Sequence, residues 1–176
     1  KRAGLMALMP PVKFDLVMVD EAHHVRNTDT WRHRVVKHLL NSAEAAVLIS
    51  ATPIQTGSND LFNLLRLLRP DVVVGQAEFD RMKEPNAFLA RAEQLARNGT
   101  HDWQREALAE LDDALATAWG SAVMLADPRA QAARDLLENS ITSDQTRVGA
   151  VRALQSLHTF GGLINRTRRR DIGAFA

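Results

Sequence analysis

An α/β fold, built on a parallel sheet and enlarged by a long helical region, is predicted by three features of this sequence. Two short apolar runs rich in β-formers, Phe14 to Val19 and Ala46 to Ser50, flank a stretch with helical spacing. Strand, helix and strand in that order imply parallel neighbours joined by a right-handed crossover. From about Gln76 to Thr159 the character changes, and the sequence reads as helical almost throughout.

The first run, Phe-Asp-Leu-Val-Met-Val, reads as a buried strand that ends at Asp20. Next, Trp31, Val35, Val36, Leu39 and Leu40 recur at helical spacing after Asp29 or Thr28 as the candidate cap. The basic residues Arg32, His33, Arg34, Lys37 and His38 are expected on the opposite, solvent-facing side. The second strand closes at Ser50, and Ser58 or Asn59 then caps a helix with Leu61, Leu64, Leu65 and Leu68 on one face, stopped at Pro70.

Within the helical region the predicted segments are Asn86 to Arg97, Trp103 to Trp119, Pro128 to Glu138 and Ser143 to His158. Asp127-Pro128 is a cap followed by proline at the first helical position, Thr142 with Gln145 reads as a capping box, and Gly99 and Gly120 suit helix ends. Trp103, Ala107, Leu108, Leu111 and Leu115 form one apolar stripe, and Val148, Val151, Leu154 and Leu157 another; both are expected to be core.

At 176 residues and 19.5 kDa the chain has room for one domain with a real core. A composition 45% hydrophobic and 24% charged excludes a disordered, collagen-like or disulfide-framework protein. The 22 basic and 21 acidic side chains leave a formal charge of +1, so any nucleic-acid contact must come from a local patch such as Arg166, Arg168, Arg169 and Arg170. The absence of cysteine removes disulfides, cysteine-ligated zinc and thiol nucleophiles, and fits a reducing compartment. No apolar run reaches the roughly 20 residues of a membrane helix, so a cytoplasmic protein with no membrane partner is expected. Lys1 and Arg2 before a short apolar stretch look superficially like a signal peptide. That stretch ends in Pro10-Pro11 without a small-residue cleavage site, and the first residue is not Met, so a piece of a longer chain is expected.

The sharpest chemical signal is Val17-Met18-Val19-Asp20-Glu21-Ala22-His23-His24, a strand running straight into two adjacent carboxylates and a histidine pair. Phosphoryl transfer to water needs one group to hold magnesium and another to orient or deprotonate the water, and Asp20 and Glu21 suit those two tasks. Asp-Glu alone is also what a solvated turn after a strand contains; the tetrad at a strand end carries more weight. The histidine pair has neither the H-E-x-x-H spacing nor a third spaced ligand, so zinc is not expected. A second signal, Ser50-Ala51-Thr52-Pro53, sits at the end of the next strand, and the strand–helix–strand order brings both loops to the same sheet edge.

These residues resemble a known family. Asp20-Glu21-Ala22-His23-His24-Val25-Arg26-Asn27, then Ser50-Ala51-Thr52-Pro53-Ile54-Gln55, then the Asp60 to Asp71 stretch are similar to superfamily-two helicases of the SWI/SNF type. The closing Asn165 to Ile172 resembles the basic segment after the first motor lobe in bacterial members related to the RNA-polymerase recycling ATPase. The resemblance implies a partial RecA-like sheet of the P-loop NTPase type. Residues 1–75 and 160–176 would be the C-terminal part of the first ATP-binding lobe, and 76–159 a helical insertion. It also implies ATP and magnesium as cofactors, with Asp20 holding the magnesium through water and Glu21 as general base. His23 would couple the nucleotide site to Ser50 and Thr52. Double-stranded DNA and a second motor lobe are the implied partners, and the basic tail around Arg166 to Arg170 would lie near the hinge to that lobe; by charge alone, Arg166, Arg168, Arg169 and Arg170 suit either phosphate contact or a solvated end of a helix or strand.

The chain departs from the family pattern at several points. Thr56 stands where members often have Asn, and Asn165 where they have Arg. No G-x-x-x-x-G-K-[ST] occurs, so the loop that cradles the phosphates lies outside these 176 residues, and this stretch alone is expected to be inactive. In the family the phosphate-loop strand lies beside the Ser50 strand, so an open hydrophobic edge is expected, with pairing to another chain, such as a second copy, or marginal stability as its consequence. A rival reading is a non-catalytic interaction module, in which 76–159 docks a protein or nucleic acid and the acidic box is a relic.

Overall fold

The computed structural model describes residues 12–50, 58–99, 101–139 and 143–165. They form two strands and six α-helices in two compact units, Lys1–Phe79 and Asp80–Ala176.

In the first unit, β1 (Phe14–Val19) pairs in parallel with β2 (Ala43–Leu48), and α1 (Trp31–Leu40) makes the crossover. The parallel pair and the connecting helix are as expected. β2, however, lies earlier than the run Ala46 to Ser50: the ladder begins where Phe14 N donates to Ser42 O at 2.9 Å and pairs Phe14 with Ala43. Ala43-Glu44-Ala45 has weak intrinsic strand preference and is extended because β1 supplies its hydrogen-bond partners.

Alternation then sorts the sheet into two faces. Val17, Val19, Ala46 and Leu48 pack against Ala22, Val25, Leu40, Leu64 and Leu67, a core shared with α1 and α2 (Ser58–Leu68). Each leucine fully buried this way contributes about 2 kcal/mol. Among the described residues the opposite face is apolar and about half exposed: Leu16 is 50% exposed, Met18 60% and Val47 42%.

Helix α1 differs from its sequence reading in two respects. Its N-cap is Thr30, whose Oγ1 accepts the His33 amide at 3.2 Å, rather than Asp29 or Thr28. Asn27 causes the shift: its Oδ1 accepts the Asp29 amide and its carbonyl accepts the Thr30 hydroxyl, which builds a turn through the two expected caps. The helix is also rotated, so that Trp31 is exposed while His33, expected in solvent, is buried.

Helix α3 (Gln76–Asn98) begins well before Asn86 and runs through Pro85. The proline removes one main-chain donor, yet Phe79, Met82 and Leu89, all buried, hold the turns on either side of it. Gly99 ends the helix with φ 61°, as a C-terminal glycine should. Leu89, Ala92 and Ala96 then share a core with Trp103, Ala107, Leu111 and Leu115 of α4 (Trp103–Ala116), with Ala130, Ala133 and Leu137 of α5 (Pro128–Glu138), and with Ala150 and Leu154 of α6 (Asp144–Ser156). Alanine on every helix lets the backbones approach closely. Arg91–Glu110 links α3 to α4, and Arg134–Asp112 links α5 to α4.

Two further helix boundaries are corrected. α4 stops at Ala116 rather than Trp119, because Thr117 is extended and its hydroxyl both donates to Ala114 O at 2.7 Å and accepts the Gly120 amide at 3.0 Å. Gly120 is therefore no helix end: it opens a π-helical turn, Gly120–Met124. A Cβ there would lie 2.1 Å from the Ala114 oxygen. α6 is capped by Ser143, whose Oγ accepts the Thr146 amide at 3.1 Å, while Thr142 of the expected capping box lies outside the described residues. The α6 stripe is also rotated: Ala150, Leu154 and Leu157 face the core and Val148 is exposed. The Asp127-Pro128 cap and α5 are as predicted, with Asp127 Oδ1 accepting the Arg129 amide at 2.8 Å. Among the described residues no helix is long and apolar enough to cross a membrane.

Candidate active site

At the carboxyl end of the sheet the ladder continues past both strands. Ile49 donates to Val19 O at 2.8 Å, and Ala22 donates back to Ile49 O at 2.8 Å. These two main-chain bonds place the Asp20-Glu21 turn beside Ile49 and Ser50, so the acidic box and the start of the second loop share one edge.

Both carboxylates are exposed. Asp20 Oδ1 accepts the Glu21 amide at 2.7 Å, which fixes the aspartate against its own backbone. Glu21 has φ 49° and ψ 45°, the left-handed conformation, and is the one non-glycine residue with positive φ among those described. A side chain there costs roughly 1–2 kcal/mol. The turn Ala22–Val25 follows as a short 3-10 helix, closed by His24 N donating to Glu21 O at 3.0 Å, with Ala22 and Val25 buried.

His23 joins the two loops. Its Nδ1 lies 3.1 Å from Glu21 Oε2 and 3.4 Å from Ser50 Oγ. With a carboxylate as neighbour this nitrogen carries the proton, so the N–H donates to Glu21 and Ser50 accepts a share of the same hydrogen. The His24 ring lies 4.1 Å from that of His23. A cleft of about 300 Å³ beside the box is lined by Asp20, Glu21 and His24 together with Trp31, Arg32 and Val35 of α1.

The sequence therefore singles out Asp20, Glu21, His23 and Ser50, and the structure brings these four together. Thr52 and Arg166, Arg168, Arg169 and Arg170 lie outside the described residues. Among the described residues no three His, Asp or Glu side chains converge as a metal cage. A lone aspartate beside a cleft fits magnesium, which keeps several waters and needs only one or two protein carboxylates when phosphate oxygens complete its shell.

Residues 6–120 match the SNF2-related domain family. The chain belongs to that family. Among its relatives, YqhH, an ATP-dependent helicase of Bacillus subtilis, is 34% identical over 79 residues, 45% of this chain and 14% of YqhH. RapA, the RNA polymerase-associated protein of Cronobacter sakazakii, is 33% identical over 104 residues, covering 56% of this chain and 11% of RapA. The RapA of Vibrio campbellii is 34% identical over 87 residues, 48% of this chain and 8% of that protein. The chain thus spans a small part of the length of these relatives. No solved structure matches it.

In this SNF2-related chain the acidic turn also has supports outside the acidic box. His33, expected in solvent with the other basic residues of α1, instead donates from Nδ1 to the Val25 carbonyl at 2.8 Å in a site only 7% exposed. Arg26 and Asp60 form an ion pair at 3.4 Å that ties the residue after the turn to the first turn of α2. A signal was available for the first of these: a histidine three positions after Thr30, on a helix that follows the acidic box directly.

Proposed function

We propose that this chain is the C-terminal part of the first RecA-like motor lobe, residues 1–75 and 160–176, with 76–159 inserted, of a cytoplasmic ATP-dependent translocase on double-stranded DNA. The observation that carries the reading is the main-chain bridge Val19–Ile49–Ala22, which sets Asp20 and Glu21 at a strand tip beside Ser50. Family membership and the helicase and polymerase-associated relatives support it.

In this reading Glu21 is the general base. The His23 N–H holds one of its carboxylate oxygens, leaving the other to orient water and take its proton. Asp20 holds the hydrated magnesium, which when bound neutralises phosphate charge. His23 is the coupling residue: it contacts Glu21 and Ser50 together, so a change at the carboxylate reaches the Ser50–Thr52 loop that leads toward the second lobe. Arg166, Arg168, Arg169 and Arg170 contact DNA phosphates. The phosphate-loop half comes from elsewhere in the parent chain, so the 176 residues alone do not turn over ATP. The half-exposed face of Leu16, Met18 and Val47 supports this, because parallel sheets are covered on both faces.

The test is Glu21→Gln in the intact parent. DNA-stimulated hydrolysis should fall at least about a hundredfold while ATP binding persists. Unchanged turnover refutes the base assignment, and a parent that neither binds nor hydrolyses ATP favours the interaction-module reading.

A further inference from the structure

We infer that His33 and Asp60 are positioning residues that hold the acidic turn, and Glu21 with it, in its left-handed conformation; this rests on the reading of Glu21 as the base. A strained residue keeps an unfavourable φ only where its surroundings over-determine it. At its start the turn is fixed by Ala22 N donating to Ile49 O, a bond that no side chain supplies. At its end two side chains from different helices take hold of consecutive residues: His33 of α1 donates to the Val25 carbonyl, and Asp60 of α2 pairs with the Arg26 guanidinium.

The chemistry of each contact is specific. The end of a short helix leaves carbonyls without helical partners, and the Val25 carbonyl obtains a donor from His33 Nδ1. Because a carbonyl only accepts, Nδ1 carries the hydrogen, which fixes the tautomer. The Asp60 side chain is 12% exposed and that of Arg26 28%, so the pair is shielded from solvent and more costly to break than a fully exposed one. Ala22 and Val25, both buried, press the turn's apolar side onto Leu40, Leu64 and Leu67. Only Glu21, between the strand and this anchored turn, absorbs the mismatch. With the far anchors gone, Glu21 can relax to a right-handed conformation and carry its carboxylate away from the His23 N–H.

The experiment compares Asp60→Asn, His33→Leu and His33→Asn in the intact parent, with two readouts. Hydrogen exchange at the Ala22 and His24 amides should quicken about tenfold in Asp60→Asn and His33→Leu, while β1 amides keep their protection. His33→Asn, which retains a donor close to the Nδ1 position, should restore the slow rate. The kcat for ATP should fall between about tenfold and a hundredfold with KM unchanged, and the exchanged pair Arg26→Asp with Asp60→Arg should recover part of it. Unchanged amide rates, or His33→Asn behaving like His33→Leu, overturn the inference whether or not the parent hydrolyses ATP. Altered exchange with no ATP turnover in the unmodified parent overturns the motor reading and leaves the anchoring of the turn standing.

Discussion

His158 Nε2 lies 2.7 Å from Glu93 Oε1, and this contact ties the chain leaving α6 to the middle of α3. Gln155 and Arg97 donate to the other oxygen of the same carboxylate at 3.2 and 3.3 Å, and the Glu93 residue is only 7% exposed. Burial pushes the Glu93 carboxyl up, but the hydrogen bond and charge of His158, with Arg97 and Gln155, outweigh it and hold the group below the usual carboxylate range.

A pH dependence follows from that shift. A carboxyl depressed in the folded state stabilises fully above its unfolded pKa, near 4.3, and loses that contribution as pH falls through the lower folded value. Thermal melts of the chain should therefore show the Glu93 contribution intact at neutral pH and eroding below about pH 4. Glu93→Gln should cost about 2 kcal/mol at neutral pH and flatten the acid limb of the curve. An acid limb identical to that of the unsubstituted chain would show that the cluster does not act on stability.

The left-handed Glu21 separates strain from function. Glu21→Gly relieves the φ 49° conformation and should stabilise the first unit by about 1 kcal/mol, read by urea titration, while removing the candidate base. Glu21→Gln keeps the side chain and should leave stability nearly unchanged. Equal stability of the two variants would mean that the surroundings carry no strain at this position.

Gly120→Ala meets a different constraint. The added methyl would sit against the Ala114 carbonyl oxygen, which is backbone and cannot swing aside, so a loss of about 3 kcal/mol is expected in denaturant melts. A loss below about 0.5 kcal/mol, the range of an ordinary surface change, would show that the π-helical turn opens easily.

The half-exposed sheet face predicts association. The register sets Met18 opposite Val47 on that side, and apolar patches of this kind draw copies together. Met18→Lys with Val47→Lys should shift the 176-residue chain toward monomer in sedimentation velocity without lowering its melting temperature. Oligomers that persist in the double variant would place the contact elsewhere.

What the sequence made legible was local. Asp127-Pro128 announces α5 because cap and first turn are adjacent, and Phe14–Val19 announces β1 because its own residues favour strand. The beginning of β2 was hidden, since Ala43-Glu44-Ala45 is extended only through its partner strand. At the candidate site the same division holds. Asp20, Glu21, His23 and Ser50 stand out by residue type, whereas the burial of His33 depends on the Val25 carbonyl and the role of Asp60 on Arg26, contacts that exist only after α1 and α2 have docked. The φ of Glu21 has no residue-type signature, because glutamate seldom adopts it without such support.

The parallel pairing of β1 and β2 also dictates an order of events. Antiparallel partners can zip outward from a tight hairpin, whereas these two need a crossover between them, which α1 makes. A nascent polypeptide that has emerged only as far as Asn41 therefore carries Asp20 and Glu21 without the Ile49 carbonyl that shapes their turn. The turn that carries the two acids takes its shape only once the second strand has paired with the first.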